Sequence, residues 1–226
     1  MKPIPQLYEK YKQDLTRVRR LQQKIYPKIE YLPKVRVLTR KYLNTPKVQL
    51  SDTEAEITYM MVRETKPNLV VEASPLNGWS TTWLLRALED NNKGQLYSYD
   101  LNNHQPLVDK LPNHLKKRWH MHPGDMRDRN IPKKIDYLFL DSEHTGSFAR
   151  FYIKKIFPNV KKDSVISIHD INGPAPTKEK DEVIRWLKRN KKQYHKINEE
   201  IREARIKTGF HNIHHEELEY MIWFIK

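Results

Sequence analysis

Between residues 69 and 168 the chain repeats one unit: a short apolar strand-like run, a turn, and then a segment long enough for a crossover. The runs fall at 69–73, 96–99, 119–122, 136–140 and 164–168. Runs of this kind suit parallel strands covered on both faces, and parallel neighbours must be joined by crossovers, usually helical. The repeat therefore predicts an α/β architecture with a doubly wound, mostly parallel sheet. The glycines agree, because Gly78, Gly94, Gly124, Gly146, Gly173 and Gly209 all lie between predicted elements.

One unit shows the pattern in full. In LVVEASPLNGWSTTWLLRAL (69–88), Leu69 to Val71 run into Glu72, a turn spans Ser74 to Gly78, and Trp79, Trp83, Leu84, Ala87 and Leu88 recur at helical spacing. Ser80 and Thr81 stand where hydroxyls cap free N–H groups. A helix that starts just beyond a buried strand offers N–H groups and a positive dipole end to the polar part of a nucleotide-like ligand. Ahead of this unit, the SDTE of 51–54 is a capping-box pattern that predicts a helix from about Asp52 to Thr65, stopping before Pro67. EYMIWFIK (219–226) reads as a final apolar strand.

Residues 1–50 form a separate basic helical extension, with 51–226 as the main domain. The extension holds 13 Lys and Arg against 3 Asp and Glu, which accounts for +10 of the chain's +14. Leu15, Val18, Leu21 and Ile25 mark helical patches, and Pro27, Pro33 and Pro46 interrupt them, so short helices wrapping the domain are expected. A basic segment of this kind either docks on phosphate or forms a solvated face.

Ligands of open α/β sheets sit beyond the carboxyl ends of the strands. Here those ends carry Glu72, Asp100, Asp125, Asp141 and the pair His169-Asp170. Asp100 lies 22 residues after Gly78, near the ~20-residue spacing at which a carboxylate hydrogen-bonds a ribose. Asp125 follows Gly124 at the end of the third strand, where a carboxylate can accept from an exocyclic amine. G-x-G-x-x-G is absent, which weakens a nicotinamide dehydrogenase reading.

VVEASPLNGWST, LYSYD, GD, YLFLDSEH and SVISIHD occur in an order and spacing that resembles class I S-adenosylmethionine-dependent methyltransferases over about residues 51–226. The resemblance implies a Rossmann-like, seven-stranded sheet with an antiparallel last strand. It also implies that Glu72, Ser74, Asn77, Gly78 and Ser80 hold the methionine portion of S-adenosylmethionine, Asp100 the ribose and Asp125 the adenine region. The glycine-rich turn of the family is reduced here to Gly78, with Pro75 inside it.

Asp141 ends the fourth strand, with His144 three residues on, and His169-Asp170 ends the fifth. Neighbouring strands lie about 4.8 Å apart, so these side chains can converge on one cation. The arrangement resembles the metal-dependent small-molecule O-methyltransferases, including those acting on sugar hydroxyls. That resemblance implies Asp141, His169 and Asp170 as ligands of Mg²⁺ or Mn²⁺, with Asp141 and His144 as the catalytic pair and His144 as general base. The implied partner is a small-molecule or glycan acceptor. An RNA-directed methyltransferase gripping phosphates through the basic segment, and a catalytically inactive binding protein of the same fold, are the alternatives. HNIHH at 211–215 is read as an ordinary polar loop.

Cysteine is absent, so no disulfide framework or thiolate chemistry is available, in keeping with a reducing compartment. No apolar run approaches the length of a membrane span, and MKPIPQLYEKYKQ lacks a signal-like apolar core. The expectation is a soluble, cytoplasmic protein.

Overall fold

The structure, a computed structural model, describes residues 1–27, 30–31, 47–48, 50–103, 105–172, 177–211 and 219–226. Pro33, Pro46, Gly173 and all of HNIHH except His211 lie outside these.

Seven strands form one sheet: β1 (Leu69–Ala73), β2 (Gln95–Asp100), β3 (Trp119–Pro123), β4 (Ile135–Leu140), β5 (Val160–Ile168), β6 (Tyr194–Lys196) and β7 (Ile222–Ile225). Their order is β3-β2-β1-β4-β5-β7-β6. The first five are mutually parallel, and β7 runs antiparallel to both β5 and β6. The order reverses between β1 and β4, which opens a crevice at their carboxyl ends.

Apolar side chains cover both faces of the sheet. Val70, Leu96, Tyr137, Phe139 and Trp223 pack on one side, and Val71, Ala73, Leu138, Leu140 and Phe224 on the other. This two-sided burial is what the apolar runs of the central strands require, while β3 and β6 at the sheet edges stay partly or fully exposed.

On the first face lie α1 (Ile4–Ile25), α2 (Asp52–Thr65) and α3 (Trp79–Asp90). On the second lie α4 (Gly146–Phe151), which continues into a π-turn at Tyr152–Ile156, and α5 (Lys178–Arg189). A last helix, α6 (Glu199–Lys207), returns to α1. The predicted capping box is present, with Ser51 Oγ accepting from Glu54 N and Glu54 accepting from Ser51 N.

The N-terminal segment differs from the expected short helices. Residues 4–25 form one continuous helix whose Ile4, Leu7, Tyr8, Tyr11, Leu15 and Val18 are buried. Pro5 sits in its first turn, where its missing N–H costs nothing, and Pro27 follows its end. A buried polar cluster fastens it: Glu56 on α2 accepts from Arg19, from Tyr8 Oη at 3.2 Å and from Arg205 Nε at 2.7 Å. α1 thus shares the core of the sheet.

Candidate active site

The β1–α3 turn sets the floor of the crevice. Ser74 and Leu76 adopt left-handed conformations at φ 59° and 53°, and Gly78 at φ 91° is the N-cap of α3. A Cβ on Gly78 would stand 2.5 Å from Val108 Cγ2, so both the turn and the close approach require glycine. Ser74 N donates to Tyr99 O at 2.7 Å, and Leu76 N donates to Asp100 Oδ2 at 3.0 Å. Backbone strain of this kind clusters at functional sites.

Asp100 also accepts from Asn102 N at 2.8 Å, so both its oxygens are oriented by backbone donors and still line a cleft. Ser74, Asp100, Gly124, Asp125, Met126 and Ser142 surround that cleft, which encloses about 430 Å³ including the part open to solvent. Burial raises the pKa of Asp100, and the two backbone N–H groups oppose the rise. Ser142 Oγ is buried without a hydrogen-bond partner. An orphaned hydroxyl beside an oriented carboxylate is what a site built for a polar ligand presents.

Asp125 is less free. Its carboxylate caps the turn at Met126–Asp128 through Arg127 N and takes the Arg127 guanidinium at 2.6 and 2.9 Å, which holds its pKa low. Arg127 reaches on to Glu143 at 3.2 Å and lies 5.7 Å from the Phe148 ring centroid, spanning the rim of the cleft.

Glu72 and Ser80 are placed differently from the expectation of direct cofactor contact. Glu72 is fully buried, and its carboxylate accepts from Ser80 Oγ at 2.6 Å, Thr81 Oγ1 at 2.8 Å and Ser98 Oγ at 2.6 Å. The hydroxyls expected to cap α3 are spent on this carboxylate, because a buried charge without donors costs more than frayed helix N–H groups. Burial pushes Glu72 up to about 7, against the pull of the three hydroxyls. Asn77, with its carbonyl accepting from Leu107 N at 3.1 Å, belongs to the turn beside the crevice.

The acids of β4 and β5 gather around two histidines. His169 is fully buried, with Nδ1 3.0 Å from Asp141 Oδ1 and Nε2 3.2 Å from Glu54 Oε2. Burial disfavours its charge, yet the two carboxylates prevail and raise its pKa well above 6.5. Glu54 also accepts from Tyr220 N at 2.7 Å and Met221 N at 2.9 Å, so His169 and the start of β7 share one anchor. Both ring nitrogens of His169 thus face carboxylates inside the fold, and neither is turned toward an open cation position. Among the described residues no group of three His, Asp or Glu side chains is arranged to hold a metal ion. The donor set expected from Asp141, His169 and Asp170 does not fit a divalent cation; His169 is a buried ion-pair partner instead.

His144 belongs to the same cluster and is about one-third exposed. Its Nδ1 is 2.7 Å from Glu179 Oε2, and its Nε2 is 3.6 Å from Asp170 Oδ2. Burial works against its charge, but the Glu179 hydrogen bond and the charges of Glu179, Asp141 and Asp170 raise its pKa above 6.5.

Residues 76–171 match the family model described as a methyltransferase domain. The chain has the class I methyltransferase fold. The O-methyltransferase TomG of Streptomyces achromogenes, solved with SAM, superposes with a TM-score of 0.56 at 12% identity over 82% of this chain and 85% of its own. An O-methyltransferase from Bacillus cereus, solved with SAH, gives 0.56 at 13% identity over 94% and 90%. The Podospora anserina methyltransferase PaMTH1, also solved with SAH, gives 0.53 at 9% identity over 93% and 95%. No curated protein matches in sequence. In the methyltransferase fold the cleft at β1, β2 and β3 occupies the crevice at the strand carboxyl ends, and the histidine cluster flanks it beyond β4 and β5.

Glu54, Ser142 and Glu179 were not singled out by the sequence. Glu54 was legible only as a capping-box residue, and Glu179 is hidden in the charge run KEKDE at 178–182.

Proposed function

We propose that the protein is an S-adenosylmethionine-dependent O-methyltransferase acting on the hydroxyl of a small molecule. The observation that carries this is Asp100: a partly buried carboxylate, aimed by Leu76 N and Asn102 N, in the cleft of a methyltransferase domain. Asp100 would accept from the ribose hydroxyls, Ser142 Oγ would gain the partner it lacks, and Asp125 would receive the adenine amine once Arg127 shifts. S-adenosylmethionine would supply an electrophilic methyl on a sulfonium sulfur. The S–C bond breaks as an O–C bond forms, leaving S-adenosylhomocysteine, a methyl ether and a proton.

His144 is the group we assign to that proton. Its Nε2 lies 3.6 Å from Asp170, and Asp141 and Asp170 supply negative charge that stabilises the imidazolium formed. Holding the hydroxyl against Nε2 turns an encounter of three groups into a step within one complex. A divalent cation is outside this proposal, because the ring nitrogens of His169 are both spent on carboxylates.

A small molecule is favoured over nucleic acid by how α1 is used. Its Arg17 is paired with Asp90 at 2.7 Å, and Arg19 with Glu56, so part of the basic segment is spent within the domain. The test is transfer of radiolabelled methyl from S-adenosylmethionine to a panel of phenols, sugars and a total RNA preparation. The proposal expects label in a small-molecule ether that is lost in His144→Ala. Label confined to RNA, or none in any acceptor, would contradict it.

A further inference from the structure

We propose that Glu179 is the positioning residue that fixes His144 as a base, holding Nδ1–H so that Nε2 presents its lone pair to the acceptor hydroxyl. This rests on the methyltransferase reading and adds a residue to it.

Glu179 is 1% exposed and lies in the first turn of α5, where the helix dipole favours a carboxylate. Its oxygens have separate partners: Oε2 meets His144 Nδ1 at 2.7 Å, and Oε1 accepts from Tyr152 Oη at 3.0 Å. Burying a carboxylate costs several kcal/mol unless it is paired. Neither Lys nor Arg pairs with Glu179 among the described residues; the ring it meets is His144.

The geometry also assigns the tautomer. An imidazole whose Nδ1–H is given to a carboxylate leaves Nε2 as the free nitrogen, and the other ring nitrogen is tuned by that bond. Nε2 is the atom turned toward Asp170, at 3.6 Å, on a ring that keeps about one-third of its surface exposed. A glutamate with only a packing role on α4 and α5 would not need this alignment. Glu182, on the same helix, joins α4 through Arg150 at 2.9 Å and pairs within α5 with Arg185 at 2.8 Å, without touching His144.

The test uses the full chain labelled with ¹⁵N-histidine, with the His144 signals assigned by loss in His144→Asn. Neutral His144 in the wild type should show a protonated Nδ1 and an unprotonated Nε2. In Glu179→Gln the signals should move to a mixture of tautomers, while Glu182→Gln leaves them unchanged. Methyl transfer to whichever panel hydroxyl the wild type accepts should fall roughly 10- to 100-fold in kcat for Glu179→Gln, the range seen when a residue orienting a functional histidine is removed. The KM for S-adenosylmethionine should stay within about twofold, Glu179→Asp should recover part of the loss, and Glu182→Gln should stay near wild type. An unchanged tautomer in folded Glu179→Gln, or an unchanged kcat, would overturn the inference while leaving the methyltransferase reading in place. Absence of S-adenosylmethionine binding by the wild type would overturn the parent reading instead, whatever the tautomer.

Discussion

Leu76 and Ser74 hold left-handed backbone without being glycine, and Leu76 is 42% exposed, outside the buried core. Such a conformation costs an L-residue about 1 kcal/mol or more. Leu76→Gly should therefore raise stability by about 1 kcal/mol, less the entropy glycine adds to the unfolded chain, and chemical denaturation checks this. Glu72 makes a second prediction. Its native pKa of about 7 lies above the ordinary 4.5, so the folded state keeps the proton longer than the unfolded one. The contribution of this group to stability is present below about 4.5 and declines as pH rises toward 7, by on the order of 3 kcal/mol in all. Glu72→Gln, which carries no charge to bury, should melt higher than wild type at pH 8 and lose that advantage at pH 4. A variant that melts lower at pH 8 would show that the three hydroxyl bonds outweigh burial. His169 is the third case. His169→Gln leaves Glu54 and Asp141 without their cation and should cost about 3–5 kcal/mol, read as a lowered Tm. The strand-end positions of Glu72 and His169 were legible in the sequence, but their partners were not. Glu54 lies 115 residues from His169, and no local pattern announces that a capping residue will also receive an imidazole.

The central strands of the parallel sheet could be read at the scale of the element because they are buried on both faces. β5 starts four residues earlier than its apolar run, since three of the four residues Val160–Asp163 are charged and the segment pairs outside the regular register. β6 was missed for a physical reason: Tyr194–Lys196 is an exposed edge strand of three residues, held by pairing to β7 and not by apolar content. The expectation of short helices over residues 1–50 rests on Pro27, Pro33 and Pro46 as breakers, yet Pro27 falls beyond the end of α1 and Pro5 lies in its first turn. Its fully buried Leu15 packs in the same core as the sheet. Leu15→Ala should therefore destabilise the whole domain by about 2–5 kcal/mol in a single cooperative transition. A separate low-temperature transition, with the main melt unchanged, would mean that the helix is an independent appendage.

Across the whole molecule, the architecture gathers residues of α2 and α5 with the strand ends of β4 and β5, and the sequence foretold the strand-end residues but not that Glu54 and Glu179 would join them. The consequence for chemistry is a site whose charges are matched internally, with His169 between Glu54 and Asp141 and His144 between Glu179 and Asp170. No helix among the described residues is long and apolar enough to cross a membrane. Methyl transfer should accordingly survive exhaustive chelation with EDTA to within about twofold, and restoration of a lost activity by Mg²⁺ or Mn²⁺ would contradict the internal pairing. The most direct measurement of the central claim is calorimetric titration of the full chain with S-adenosylmethionine, alongside Asp100→Ala checked for folding by circular dichroism. Loss of hydrogen bonds to a charged group is worth about 1.5–3 kcal/mol, so the account predicts saturable binding by the wild type, weakened roughly 10- to 100-fold in the variant. Equal affinity in both proteins would place the cofactor elsewhere, and no heat with the wild type would contradict the account.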